Sequence, residues 1–275
     1  MSCISKKFFA VVLLTSLWPV ASGLPAEPTA GVAPASKYTA GFSTVLRLGM
    51  DIQRMMDKKH RPLFPPNPVF MDLDLAPAAR PAVVVSGTDQ VRGVMISAGF
   101  IDLANNVAHA RAIDLTEPGF FESYLAQLSR ETGEKELAVL PNFANEAYWT
   151  EQVRNEQLSA FNQIVGMVVS INLAHIYLGQ YEKYADKLRD AAGRPVPLAR
   201  LMSNGEWLKA MRTSTKNSLE AGLGMTGYIA LCEAIDHMPT RPAWTEFFMP
   251  RDMRSSKLKS ELEIMEAKFF SGRSI

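Results

Sequence analysis

The chain has 275 residues, 47% hydrophobic against 21% charged, a balance that supports one large packed domain or two small ones and excludes wholesale disorder. Twenty-nine Lys and Arg stand against 28 Asp and Glu, leaving a formal charge of +1 with no block of like charge. The composition therefore carries no electrostatic footprint for nucleic acid or an anionic membrane, and no nucleic-acid partner is expected.

At the N-terminus, Lys6 and Lys7 precede the apolar run from Phe8 to Leu14, and the segment closes on Ala21, Ser22 and Gly23. This pattern reads as a secretory signal over residues 1–23. Thr15, Ser16 and Pro19 interrupt the apolar core before it reaches the ~20 residues of a spanning helix, so an uncleaved anchor is disfavoured. The expected address is periplasmic or extracellular. Cys3 leaves with the signal, and Cys232, alone in an apolar run, reads as a buried inert thiol. Residues 24–36, with Pro25, Pro28 and Pro34, read as a flexible lead, and residues 37–275 as a single domain.

From Tyr38 the spacing of Phe42, Val45, Leu46 and Met50 predicts a helix, ended by Pro62, Pro65, Pro66 and Pro68. Short β-branched or alternating runs at 69–73, 82–85 and 93–97 predict two or three strands. Beyond them the chain turns helical. Phe100, Leu103, Val107 and Ala110 mark one helix, and Phe120, Tyr124, Leu125 and Leu128 mark a second that begins near Pro118. A long helix is predicted from about Glu151 to Arg189, its centre buried because Phe161 to Leu178 carries no formal charge. Asn162, Gln163, Ser170, Asn172 and His175 within that run argue against a membrane span, and Gly166 and Ser170 leave room for a close neighbour. Ser203 and Glu206 form a capping-box pattern before the next helix, which Gly222 and Gly224 break. A further helix spans Tyr228 to His237, and an amphipathic C-terminal helix from Ser255 aligns Leu258, Leu262, Met265 and Phe269. The fold class is α+β and mostly helical: a small sheet at about 69–97 packed on a helical body with a long buried central helix.

One stretch of the central helix carries a chemical pattern. Residues Ile171 to Gln180 resemble the zinc helix of metallopeptidases, His-Glu-Leu-Ala-His followed by an apolar stretch and Leu-Gly-His. Upstream, Val91 to Leu103 is similar to the strand, turn and helix that precede this helix in the gluzincin family of CAAX prenyl endopeptidases and their periplasmic relatives. In such helices two His four apart hold Zn²⁺ and the Glu takes a proton from the bound water. Here Ile171, Asn172 and Gln180 occupy three of those positions and only His175 is retained; the family's third ligand, a later Glu, aligns with Asn217 or Glu220, without its following Asp. An isoleucine cannot ligate and an amide is no general base.

The resemblance implies a metallopeptidase-like fold that has lost zinc-dependent proteolysis, with no metal and no cofactor, acting by binding a polypeptide or envelope component. His175, Asn172 and Glu220 are the remnant positions, and no catalytic residue is assigned. Strand addition at the sheet edge would serve such binding. Two alternatives stay open. One is a hydrolase of another kind using His175 with Asp102, Asp114 or Glu220; the other is a structural or assembly protein of the envelope that docks through its C-terminal helix. By itself, His175 reads as a buried histidine donating to a carbonyl, His109 as a cap on the exposed side of its helix, and His60 and His237 as helix-end cations. Asp72 and Asp74 have no spacing that forces them together. The mature N-terminus is expected near Leu24, which the mass of the native protein checks; an intact Met1 in a membrane fraction contradicts it.

Overall fold

The computed structural model describes residues 37–86, 89–128, 137, 140–238 and 240–273; the expected signal and lead lie outside them. The chain divides at Lys37, and Tyr38 begins the larger compact unit. Its first helix, α1 (Phe42–Met55), buries Val45, Leu48, Gly49 and Ile52, so of the predicted Phe42, Val45, Leu46 and Met50 only Val45 lies on the inward stripe, which is rotated toward Leu48 and Ile52. Gly49 is where the sheet comes closest: a Cβ there would lie 2.4 Å from Val69. α1 stops at Met55, several residues ahead of the proline cluster, because Met56 is already extended.

Three strands follow, β1 (Val69–Asp72), β2 (Ala79–Ser86) and β3 (Asp89–Ser97), in the order β1-β3-β2. β1 runs parallel to β3 and β2 antiparallel to it. Register fixes which backbone groups β2 leaves unpaired. Ser97 N–H donates to Ala78 and Val94 N–H to Pro68, so alternate β3 residues face opposite neighbours. Ala82 and Val84 therefore turn toward β3, while Ala79, Pro81, Val83 and Val85 turn their backbone to the free edge. Pro81, with no N–H, sits where none is needed.

The sheet passes directly into α2 (Ala98–Asp114). Ser97 ends β3 and caps the helix: its Oγ accepts from Phe100 N–H at 3.0 Å and from Ala78 N–H at 2.8 Å, and donates to Ala76 O at 2.8 Å. α3 (Phe120–Leu128) is anchored by Asp114, whose carboxylate accepts from the backbone N–H of Gly119 and Phe121.

The central helix α4 (Glu151–Tyr177) starts on a Thr150 cap and ends twelve residues before Arg189. Gly179, at φ +72°, makes the left-handed turn that stops it, and the chain continues in the short α5 (Gln180–Lys183) and α6 (Leu198–Leu201). The charges at 182–189 thus belong to a separate, exposed segment. α7 (Asn204–Glu220) opens with the Ser203–Glu206 capping box and closes at Gly222, φ +78°; α8 (Thr226–His237) and α9 (Ser255–Phe270) complete the body.

α4 touches α1, α2, α7, α8, β2 and β3. It is long and apolar enough to cross a membrane, but 78% of its apolar window is buried by these neighbours. Small residues set the distances. A Cβ on Gly227 of α8 would meet Ala160 O of α4 at 2.4 Å, and one on Gly166 would meet Leu223 at 2.2 Å. On this packing Val168→Asp, a charge placed among buried apolar groups, should abolish soluble folding, a loss on the order of 3–5 kcal/mol. Gly227→Ala should cost about 1–3 kcal/mol, because backbone must move. Chemical denaturation of both variants checks this; a stable Val168→Asp protein would mean that the core lies elsewhere.

Candidate functional site

His175 lies at the end of α4. Gly179 turns the chain back, and Gln180 meets His175 with Oε1 2.6 Å from Nδ1. An amide oxygen can only accept, so His175 carries its proton on Nδ1 and keeps a lone pair on Nε2. Gln180 Nε2 donates in turn to the carbonyl of Glu206 at 2.8 Å. Burial pushes the imidazole down to about 4 and holds it neutral. The Glu206 carboxylate is held down at about 2 by Lys183, at 2.6 Å, and by the Ser203 N–H and hydroxyl; it also accepts from the Tyr184 hydroxyl at 3.1 Å.

The other signature positions are equally committed. Ile171 is buried, and Asn172 Nδ2 donates to Val168 O at 2.9 Å, one turn back on its own helix. A zinc ion does not fit this donor set: one position is aliphatic, one amide is bonded into the helix and the other is bonded to the sole histidine. Among the described residues no three His, Cys, Asp or Glu side chains cluster to hold a metal ion.

Glu220 is not brought to His175. The His175–Gln180 pair reaches the first turn of α7 at Glu206, whereas Glu220 ends that helix. Fourteen residues at 1.5 Å each put the two ends about 21 Å apart along the axis. Glu220 instead borders a separate cavity of about 510 Å³ with His60, Tyr177, Lys216 and Asn217. There His60 stacks on Tyr177 at 4.4 Å, and Asn217 Nδ2 donates to the Tyr177 hydroxyl at 3.2 Å. Burial raises that hydroxyl to about 12, so it is a neutral hydrogen-bonding group and no base. His60 does not sit at the end of α1, which stops at Met55, but begins the following turn; desolvation and neighbouring Lys59 lower its affinity for a proton. Asp114 is occupied as the α3 anchor, Asp102 is exposed on α2, and Asp72 pairs with Arg80 at 3.0 Å across the sheet. Cys232 is buried, and burial pushes its thiol up to about 12.

His109 differs most from its sequence reading. It is buried and caps nothing exposed: Nε2 lies 2.7 Å from Tyr148 O and Nδ1 3.1 Å from the Tyr38 hydroxyl. A carbonyl cannot donate, so Nε2 holds the proton, and burial lowers the pKa so that the ring stays neutral. Nδ1 then accepts from Tyr38. The Tyr38 oxygen also lies 3.0 Å from Asn106 Oδ1, a second acceptor for the same phenolic proton. Asn105 Nδ2 donates to Ala40 O at 3.0 Å, while its Oδ1 accepts from Gln157 Nε2 at 2.8 Å. Phe143 and Trp149 close over Tyr38, so this network fastens the start of the body to α2 and α4. Its sequence signal was available: Asn105, Asn106 and His109 share a turn of a helix whose other residues are almost all apolar.

Comparison with known protein families, with characterised proteins and with solved structures finds no match for this chain.

The His175 geometry sets a sign for acid stability. The unfolded chain takes up a proton near the ordinary ~6.5, the folded chain only near about 4, so stability is fully present above 6.5 and is lost as pH falls through that window. The loss from this residue is roughly 3 kcal/mol, with His109 acting in the same direction. Glu206 contributes at still lower pH, between its ordinary 4.5 and about 2. His175→Gln should cost about 1–3 kcal/mol at neutral pH and flatten the fall. Denaturant melts across this range check it; an unchanged slope in the variant would remove His175 as the cause.

Proposed function

We propose that this chain is an exported, non-hydrolytic binding protein that takes an extended segment of a polypeptide or envelope component along the free edge of β2, on a metallopeptidase-like frame that has lost zinc-dependent proteolysis. The observation that carries the reading is the edge itself. β2 pairs on one side only, and the backbone groups of Val83 and Val85 face outward with no hydrogen-bond partner among the described residues. Strand addition uses such groups and requires no catalytic side chain. Pro81 removes one outward donor, so the usable edge is its Val83–Val85 end.

The export half of the proposal rests on the signal pattern of residues 1–23, and the non-hydrolytic half on the internal commitments of Ile171, Asn172, His175 and Gln180. Val83→Pro tests the edge cleanly. It deletes an outward N–H that β3 does not use, as Pro81 already does two residues away, so the melting temperature should stay within a few degrees. A pool of unstructured decapeptides passed over the immobilised chain should be enriched in β-branched sequences, and the variant should lose that enrichment. Equal enrichment by the variant would overturn the edge as the site, and peptide fragments in the eluate would overturn the non-hydrolytic reading.

A further inference from the structure

A second surface, remote in sequence from β2, carries its own chemistry. α7 and α9 lie side by side, joined by an ion pair between Arg212 and Glu261, and leave between them an open groove of about 760 Å³. Lys257, Glu261, Ile264 and Lys268 line one wall at helical spacing, and Arg212 and Lys216 line the other. Leu258, Leu262 and Met265, on the inward stripe of α9, are buried and hold the wall in place. Ile264 lies mid-groove and is 54% exposed.

The charge here is one-sided. Four cations face the groove against one carboxylate, Glu261, which Arg212 already occupies. Lys216 has only a 3.9 Å contact with Glu220, and Lys257 and Lys268 make no ion pair among the described residues. The whole chain carries +1, so this excess reflects placement and not composition. Lys257 and Lys268 are eleven residues apart on one helix, about 16 Å, or three turns.

We propose that this groove docks an acidic amphipathic helix of a partner polypeptide, about three turns long, with an apolar side chain on Ile264 and carboxylates toward Lys257, Lys268 and Lys216. The cationic spacing and the open shape select this occupant. A small anion would meet one lysine and leave the others idle, and an acyl chain would find no enclosed volume around a single exposed isoleucine. A helix fills the trough between two others and spreads its charges over the length at which the lysines are spread. The assignment does not rest on the β2 edge, and each surface can fail alone.

The test uses the purified chain and a fluorescein-labelled, amidated 15-residue peptide with leucines on one helical face flanked by glutamates. Two comparison probes are a scrambled peptide of identical composition and vesicles of phosphatidylglycerol. Fluorescence anisotropy should show saturable binding of the ordered peptide, weakened about tenfold by Lys257→Glu with Lys268→Glu and weakened also by Ile264→Ser. Both lysines are exposed and unpaired among the described residues, so circular dichroism and the melting temperature of the double variant should match the parent. Unchanged affinity in the double variant, equal binding of the scrambled peptide, or no saturation by about 1 mM would overturn the proposal. So would vesicle binding that the same reversals abolish while the peptide fails to bind.

Discussion

The requirement that governs this fold is that the middle of one helix be covered from every side. α4 presents Ile164, Val165, Met167, Val168, Val169, Leu173 and Ile176 around its whole circumference, and no single partner can cover them. The sheet, α1, α2, α7 and α8 are arranged accordingly, and the closest approaches fall where a side chain is absent, at Gly166 and Gly227. Under the same burial, three polar residues of α4 find partners inside the protein. Ser170 Oγ donates to Ser214 O, Asn172 bonds one turn back, and His175 uses Gln180.

That requirement also decides how the positions of α4 that resemble a zinc helix are used. A metal helix needs side chains left free of protein partners and turned to one point. In α4 the equivalent positions are satisfied internally, and a third donor on α7 is a helix length away. An order of strand, turn and helix can serve packing alone, since it sets where apolar faces meet and says nothing of which side chains stay unspent.

The sequence made the elements legible wherever a local signal had no competitor. The charge-free run marked the core of α4, the Ser203–Glu206 spacing marked the start of α7, and paired apolar runs marked the strands. Misreadings arose where a distant contact decided the outcome. Charges after Gly179 looked like the solvated end of α4 because nothing local revealed a left-handed turn. The face of α1 was read from spacing, but Gly49, which carries no hydrophobic signal, is where β1 comes in. His175 was legible as a buried, hydrogen-bonded histidine; its partner, the Gln180 side-chain amide in place of a carbonyl, was not, because the two meet only across the turn. His109 failed for a related reason: its partners, Tyr38 and the Tyr148 carbonyl, are 71 and 39 residues away.

Ser97 concentrates a different kind of dependence in one hydroxyl. That oxygen joins the end of β3, the first turn of α2 and the Ala76–Ala78 segment leading into β2, so displacing Ser97 releases hydrogen bonds of all three at once. Strand, helix and connecting segment should open as a single cooperative unit, and their amides should exchange with solvent at one common free energy in place of fraying in turn. The sheet edge therefore inherits its rigidity from the helical body, through a residue that belongs to both.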